Sequence, residues 1–462
     1  MPLQRLWTPP SLLSKSLKML YLAAYIILTV LIIFWAARNL SQEGYLLADR
    51  DVPPWAVALS LTVSKFGGGK ILAGGSLIYL FGISAMWFNI GFLLGYMLFT
   101  RLAYKLKEMA DQNQFYTMTD YYKKTAGEGA VFPIGLLCAY TMLGFTCINL
   151  VGGAHILQKM SGIPYEFSVL FVTGFIGIYL LVGGFKSVIV TDVLQGVIII
   201  SGMVLFVVFA SLPSDVDWGY HRFLADFGKT QIIYTFFMGF FFPFGMPEVW
   251  PRIYALRKKE DLKQTIPITI FAYVGLGILL AILILSIRES FPDMPPPQAI
   301  LSGFQSLLPS ELAGLIAVFL FAAIMSSADT YLFQTNAALE QDLKFFNRFF
   351  PKLDNIRTKM RMSIIGILAL AVCIAFFFPD IIKVLLIFAA GNFILGVFGL
   401  VSRFYDIPLF SLKTGIVGGV VAILIGLFLG GLSYHIPLCA MFGTSLGLIL
   451  SLVKKPRFVK EK

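Results

Sequence analysis

Trp55-Ala56-Val57-Ala58-Leu59-Ser60-Leu61-Thr62-Val63-Ser64-Lys65-Phe66-Gly67-Gly68-Gly69-Lys70 begins as an apolar helix and then breaks. After Lys70 the apolar run resumes, so the stretch 54–81 is long enough to cross a bilayer with its interruption at mid-depth. Glycine triplets and lysines do not sit in a lipid-facing helix. Unwound backbone is tolerated at that depth only where it meets protein or a water-filled cavity. A second interruption follows in the stretch 232–250, where Phe242-Pro243-Phe244-Gly245-Met246-Pro247-Glu248 places two prolines and a glycine after an apolar run. Taken singly, either break reads about equally well as a packing kink or a helix end. Their positions relative to each other say more.

Thirteen apolar stretches are spaced along the chain: 19–37, 54–81, 84–104, 131–157, 164–183, 187–210, 232–250, 265–287, 311–335, 362–378, 381–401, 413–432 and 436–453. The broken ones are the second and the seventh, so they open two successive sets of five. An offset of five gives the two sets opposite topologies, and interrupted helices in corresponding positions of two halves point to an inverted-repeat transporter with its site at the midplane. The layout expected is a tail 1–18, an extra helix 19–37, a first five-helix repeat 54–210, a second repeat 232–401, two further helices 413–453 and a cytoplasmic tail 454–462.

Composition agrees. Hydrophobic residues are 58% of the chain and charged residues 13%, about half the charge of a soluble protein. The net charge of +11 reads as the loop bias of membrane proteins and not as a nucleic-acid footprint. With the N-terminus outside, most Lys and Arg fall on loops facing in, and the acidic stretch Glu289 to Pro297 falls outside. The basic tail, with Arg5, Lys15 and Lys18, is the one discordant feature. The first apolar stretch is too long for a signal peptide. Cys138, Cys147, Cys373 and Cys439 have no paired spacing, and His155, His221 and His435 lie far apart. No nucleophile–base, metal or phosphate-loop pattern occurs, so no enzyme is expected. The polar segment 105–130 reads as an interfacial amphipathic piece.

In the ninth stretch Ala323, Ser326, Ser327 and Thr330 share one helix face. Hydroxyls there can bond their own helix, as is common in membranes, or serve an ion. Asp192 and Asp329 lie in apolar surroundings, where a carboxylate is costly and a functional role is the default.

These residues resemble a known family. Gly44 to Arg50 followed by Val52-Pro53-Pro54-Trp55 resembles the segment before the first core helix of the sodium/solute symporters. Gly183-Gly184 through Val190-Thr191-Asp192 to Gln195 resembles their most specific signature. Phe321-Ala322-Ala323-Ile324-Met325-Ser326-Ser327-Ala328-Asp329 resembles another of their helices, and Glu248-Val249-Trp250-Pro251-Arg252-Ile253-Tyr254 the segment after the second break. The resemblance implies an all-α membrane protein of about thirteen helices, with a LeuT-like five-plus-five inverted repeat, one extra N-terminal helix and two extra C-terminal ones. It implies an inner-membrane symporter of a small polar solute coupled to Na+ or H+, with no other cofactor, no nucleic-acid partner and no obligatory protein partner. Carbonyls of Val63, Phe66 and Ala323 and hydroxyls of Ser326 and Ser327 would hold the cation, with Asp192, Asp329 and Thr330 nearby. Gly67, Gly68, Gly69 and Lys70 would line the solute cavity, completed by Asn149, His155, Phe240 and Phe244. Lys70 favours an acidic group on the solute.

Lys65 departs from the family, which has a small, hydroxyl or acidic residue there. Three accounts stay open: pairing with Asp192 or Asp329 in place of the ion, a desolvated amine that exchanges a proton, or a side chain reaching toward water. Like-charge repulsion favours uptake that depends weakly on sodium. A facilitator or exchanger is therefore the alternative, and a membrane sensor a second. The chain ends soon after its last apolar stretch, which disfavours the sensor, and nothing resembles a channel filter.

Overall fold

The computed structural model describes residues 12–209, 228–306, 313–348 and 355–453. The tail 454–462, most of the tail 1–18, the stretch 210–227 with His221, and the ends of the apolar stretches at 210 and 311–312 lie outside them. Among the described residues the protein is helical, its single β-bridge joining Val52 to Leu256. Nine helical stretches of the described residues are long and apolar enough to cross a membrane, and shorter apolar helices accompany them.

Every one of the thirteen apolar stretches falls on helix. α1 (Leu12–Ala36) is followed by the short α2 (Gln42–Leu47), which Ser41 caps by accepting from the Gly44 N–H. Next come α3 (Pro54–Val63), a π turn over Gly69–Gly74 and α4 (Gly75–Phe81), so the first break spans the residues between Val63 and Gly69. α5 (Trp87–Asn113) runs nine residues past the stretch ending at 104. α6 (Met118–Ala126) starts on a capping box made by Thr117 and Asp120. Contrary to the interfacial expectation, α6 faces protein. Tyr121 and Tyr122 are fully buried, their rings 5.4 and 5.9 Å from that of Trp250.

α7 (Val131–Ser161) leads to α8 (Tyr165–Phe209), which covers two apolar stretches and bends where Gly184 takes φ +58°. A Cβ on Gly184 would stand 2.5 Å from the Tyr45 ring. Both the left-handed backbone and the close approach therefore require glycine. The second break separates α9 (Lys229–Phe240), α10 (Phe242–Gly245) and α11 (Val249–Tyr254), with Met246 extended between the last two. Pro247 follows Met246 and cannot donate to a continuing helix. α12 (Leu262–Ser290), the short α13 (Pro296–Ser306), α14 (Ala313–Ala337), α15 (Ile356–Phe377), α16 (Ile381–Ser402), α17 (Leu409–Gly430) and α18 (His435–Val453) complete the chain.

α14 is the centre. Its span is 89% buried, against 22–33% for those of α1, α15 and α17, so it is the helix that lipid cannot reach. It packs on α1, α7, α8 and α15 and touches α3. α5 and α9 meet backbone to backbone. Cβ atoms on Gly91, Gly95 and Gly239 would fall 2.0–2.2 Å from carbonyl oxygens of the facing helix, the close approach that small residues permit between membrane helices.

Candidate functional site

Backbone freed at the first break must find partners, since no water serves it in hydrocarbon. α14 supplies them. The Ser326 hydroxyl lies 3.0 Å from the Val63 carbonyl oxygen and 3.0 Å from that of Ala323, and Tyr331 Oη donates to the Ser64 carbonyl at 2.8 Å. One hydroxyl proton cannot satisfy two carbonyls at once. Three oxygens are thus drawn together around a single proton, at the end of a helix where carbonyls carry partial negative charge. Ser327, one residue on, is buried with a hydroxyl that has no partner. It stands against Gly67, where a Cβ would be 2.0 Å from its Oγ. Phe66 is buried at the same break, its N–H bonded to the Val63 carbonyl at 2.9 Å. Asp329 is buried, and its Oδ1 accepts from the Thr330 N–H at 2.5 Å.

Asp192 and Thr330 belong to a different cluster. Arg252, fully buried on α11, donates to Asp192 Oδ2 at 3.1 Å, to Thr330 Oγ1 at 2.7 Å, to Ser60 Oγ at 2.7 Å and to the Glu248 carbonyl at 3.0 Å. Ser60 in turn donates to Asp192 Oδ2 at 2.5 Å. This cluster ties α3, α8, α11 and α14 together, and its carboxylate is already met by a guanidinium.

Lys65 pairs with neither expected carboxylate. Its Nζ lies 3.0 Å from Glu248 Oε1 and donates to the Leu61 carbonyl at 2.9 Å, and both charged side chains are fully buried. The bond to Leu61 turns the ammonium back along α3, and Glu248 comes from the second broken stretch. Neither an Asp192 nor an Asp329 pair forms, because Arg252 holds Asp192 and Glu248 reaches Lys65 first. Glu248 and Arg252 were visible in sequence as part of a motif. Their ionic partners, Lys65 and Asp192, come from other helices, and no local spacing signalled them.

A cavity opens between the two breaks. Gly67, Gly69, Lys70, Asn149 and Ser327 line it, as the sequence reading expected for the first four. Aromatic walls come from Phe88, Phe145, Tyr234, Phe242, Tyr273 and Tyr331. Four expected residues are not in its lining. His155 stacks on Tyr165 with ring centroids 4.8 Å apart, and its Nε2 is 3.2 Å from the Pro379 carbonyl. Phe240 packs its backbone against Gly95, and Phe244 sets its ring edge-on to Phe99 with centroids 5.4 Å apart. Gly68 is spent on helix packing, a Cβ there meeting Ile324 at 3.2 Å and Gly152 at 3.7 Å. The cavity face of the second break is Phe242.

Residues 45–225 match the model of the sodium:solute symporter family. That range holds the first break and Asp192 but not the α14 motif. Sodium/proline symporters of several Staphylococcus aureus strains are 24% identical over 386 residues, covering 77% of this chain and 74% of theirs. In three dimensions the chain is similar to a Na+-coupled sialic acid symporter in a substrate-bound outward-open state, with TM-score 0.78, 16% identity and coverage of 95% of this chain and 98% of that one. It is similar also to a nucleobase-cation-symport-1 family transporter in a closed conformation with bromovinylhydantoin bound, at TM-score 0.60 and 13% identity, over 90% and 96% of the two chains. The fold is therefore the LeuT-like transporter fold.

Proposed function

We propose that this chain, which is similar to the sodium:solute symporters over residues 45–225 and shares the fold of a Na+-coupled symporter, is a multi-pass membrane transporter whose cavity between the two broken helices carries a small organic solute. We propose further that a sodium ion at Val63, Ala323 and Ser326 drives it. The observation that carries this reading is the Ser326 hydroxyl within 3.0 Å of both carbonyls. A hard cation prefers a cage of oxygens, and unwound carbonyls with hydroxyls are the donor set membrane transporters use. When sodium enters, Ser326 turns a lone pair toward it and each carbonyl keeps a partner. Ser327, with its unpartnered hydroxyl, is the adjacent ligand and borders both ion and cavity.

The Lys65–Glu248 pair removes the reason for expecting weak sodium dependence. A neutral pair repels an incoming cation far less than a bare ammonium, whose repulsion at about 4 Å and an effective dielectric of 20 would be roughly 4 kcal/mol. Sodium ahead of a proton is thus the coupling ion of this reading.

The two sets of five helices, 54–210 and 232–401, act as inverted halves whose relative rocking exposes the cavity to one side and then the other. The chain sits in the cytoplasmic membrane with its N-terminus outside. Purified protein in proteoliposomes, given a solute panel with and without an inward sodium gradient, tests the proposal. Sodium-driven accumulation of at least one solute, needing about tenfold or more sodium for half-saturation in Ser326→Ala, is the expected result. Equal flux in both conditions for every transported solute would overturn it.

A further inference from the structure

Lys70 faces the cavity in an unusual state. Its Nζ makes one long hydrogen bond, 3.4 Å to Asn89 Oδ1, and otherwise lies over two rings, 4.4 Å from the centroid of Phe88 and 5.4 Å from that of Tyr273. No carboxylate among the described residues comes within ion-pair distance of it. An ammonium carries three donors, so two have no acceptor here. Lysines at such depth pair with an opposite charge or mark the path of a substrate. Lys65, the other lysine of the lining, is neutralised by Glu248, and no Asp or Glu lines the cavity. The lining as a whole therefore presents one positive charge set in aromatic walls.

We propose that the solute is a monocarboxylate with an apolar body and no ammonium group, its carboxylate bound by Lys70. This rests on the transporter reading above and narrows it. A carboxylate accepts the two open N–H donors, and charge-assisted bonds of that kind are the strong ones. The rings of Phe88 and Tyr273 exclude water from the pair and take the apolar body. An amino acid fits poorly, because its ammonium would meet a cationic cavity with no acid to receive it. Here the chain parts from its proline-carrying relatives. The remaining unpartnered polar atoms, Asn149 Oδ1 and the hydroxyls of Ser327 and Tyr234, leave room for a hydroxyl on the solute.

The test uses binding to the purified full chain, which does not depend on flux. Thermal stability is measured in sodium-containing detergent buffer with a panel of three- to eight-carbon monocarboxylates (straight-chain, hydroxylated and aryl), with their primary amides, and with L-proline. A ligand of the native state raises the melting midpoint by an amount that grows with the logarithm of its concentration above Kd. At least one carboxylate is expected to stabilise the wild type while its amide and proline do not. In Lys70→Met the affinity for that carboxylate should fall about tenfold to a hundredfold, and Lys70→Arg should recover part of it. Equal stabilisation by acid and amide, preference for proline, no stabilisation by any carboxylate, or a carboxylate response unchanged in Lys70→Met would each overturn the proposal. Stabilisation by sodium alone, compared with potassium, is recorded in the same samples. Its presence in Lys70→Met shows an intact fold, and its absence from the wild type counts against the coupling reading and not against Lys70.

Discussion

At the scale of single residues, the core of this protein holds two buried charge pairs. Lys65 meets Glu248 at 3.0 Å and Arg252 meets Asp192 at 3.1 Å, all four side chains fully buried. Removing one member of such a pair leaves an uncompensated charge and costs about 3–5 kcal/mol, while replacing both by apolar groups can be nearly neutral. Lys65→Met is therefore expected to lower the melting midpoint and the yield of folded protein, and Lys65→Met with Glu248→Leu to recover both, read by fluorescence-detected size exclusion after heating. If the double variant is no more stable than the single one, the two residues do not act as a pair. Ser326→Ala tests a different role. It removes one proposed ion ligand and leaves the Val63 carbonyl bonded to the Phe66 N–H, so the fold should survive. Half-saturating sodium should rise by about tenfold or more, the loss of one bond to a charged group. An unchanged sodium curve in titrated uptake would remove Ser326 from the ion site.

Among the elements, those with a strong local signal were readable before the structure. Each apolar stretch is long enough to declare itself, and the glycines and prolines at 67–69 and 243–247 mark both breaks. That Ala323, Ser326 and Ser327 share one face of α14 was legible from their spacing, whereas the ion role proposed for them came from the family resemblance. What pairs with what was not legible. Lys65 is 183 positions from Glu248 in sequence, and nothing local tells a lysine which buried acid will reach it. His155 and Phe240 failed for the same reason, since facing a cavity or a neighbouring helix depends on rotation that hydropathy does not fix. α6 was misread because its tyrosines look interfacial until α11 supplies Trp250. The α5–α9 contact yields an element-scale prediction. Gly95→Val puts a branched side chain where even a Cβ is 2.2 Å from the Phe240 carbonyl, so the helices must separate. Reduced thermal stability and lost uptake are expected, whereas Gly275→Val, whose Cβ would meet nothing within 4 Å, should be tolerated. Equal behaviour of the two variants would show that α5 and α9 do not depend on this contact.

For the molecule as a whole, orientation is the property that remains to be tested, and the structure adds to the charge bias an argument of a different kind. Ion pairs join segments far apart in sequence: Lys186 to Asp49 at 2.9 Å, Arg257 to Asp51 at 2.7 Å, Lys259 to Glu108 at 2.5 Å and Lys105 to Asp406 at 2.7 Å. Arg357 donates to the Leu40 carbonyl at 2.6 Å and Arg50 to that of Phe115 at 3.0 Å. The segments near residues 40–51, 105–115, 186, 257–259, 357 and 406 thus meet on one face, and they are the loops whose Lys and Arg the positive-inside bias assigns to the cytoplasm. Tyr79 donates to the Met294 carbonyl at 3.1 Å, which sets the acidic stretch 289–297 beside the far end of α4. Surface pairs of this kind contribute little stability each, but together they fix which loops share a side. A single-cysteine series checks it. The background replaces Cys373 and Cys439, the two native thiols that are not buried, and intact cells are treated with a membrane-impermeant maleimide. Asp293→Cys should label from outside, and Lys258→Cys only after the membrane is opened. Labelling of Lys258→Cys in intact cells, with Asp293→Cys protected, would invert the protein and make its basic face the outer one.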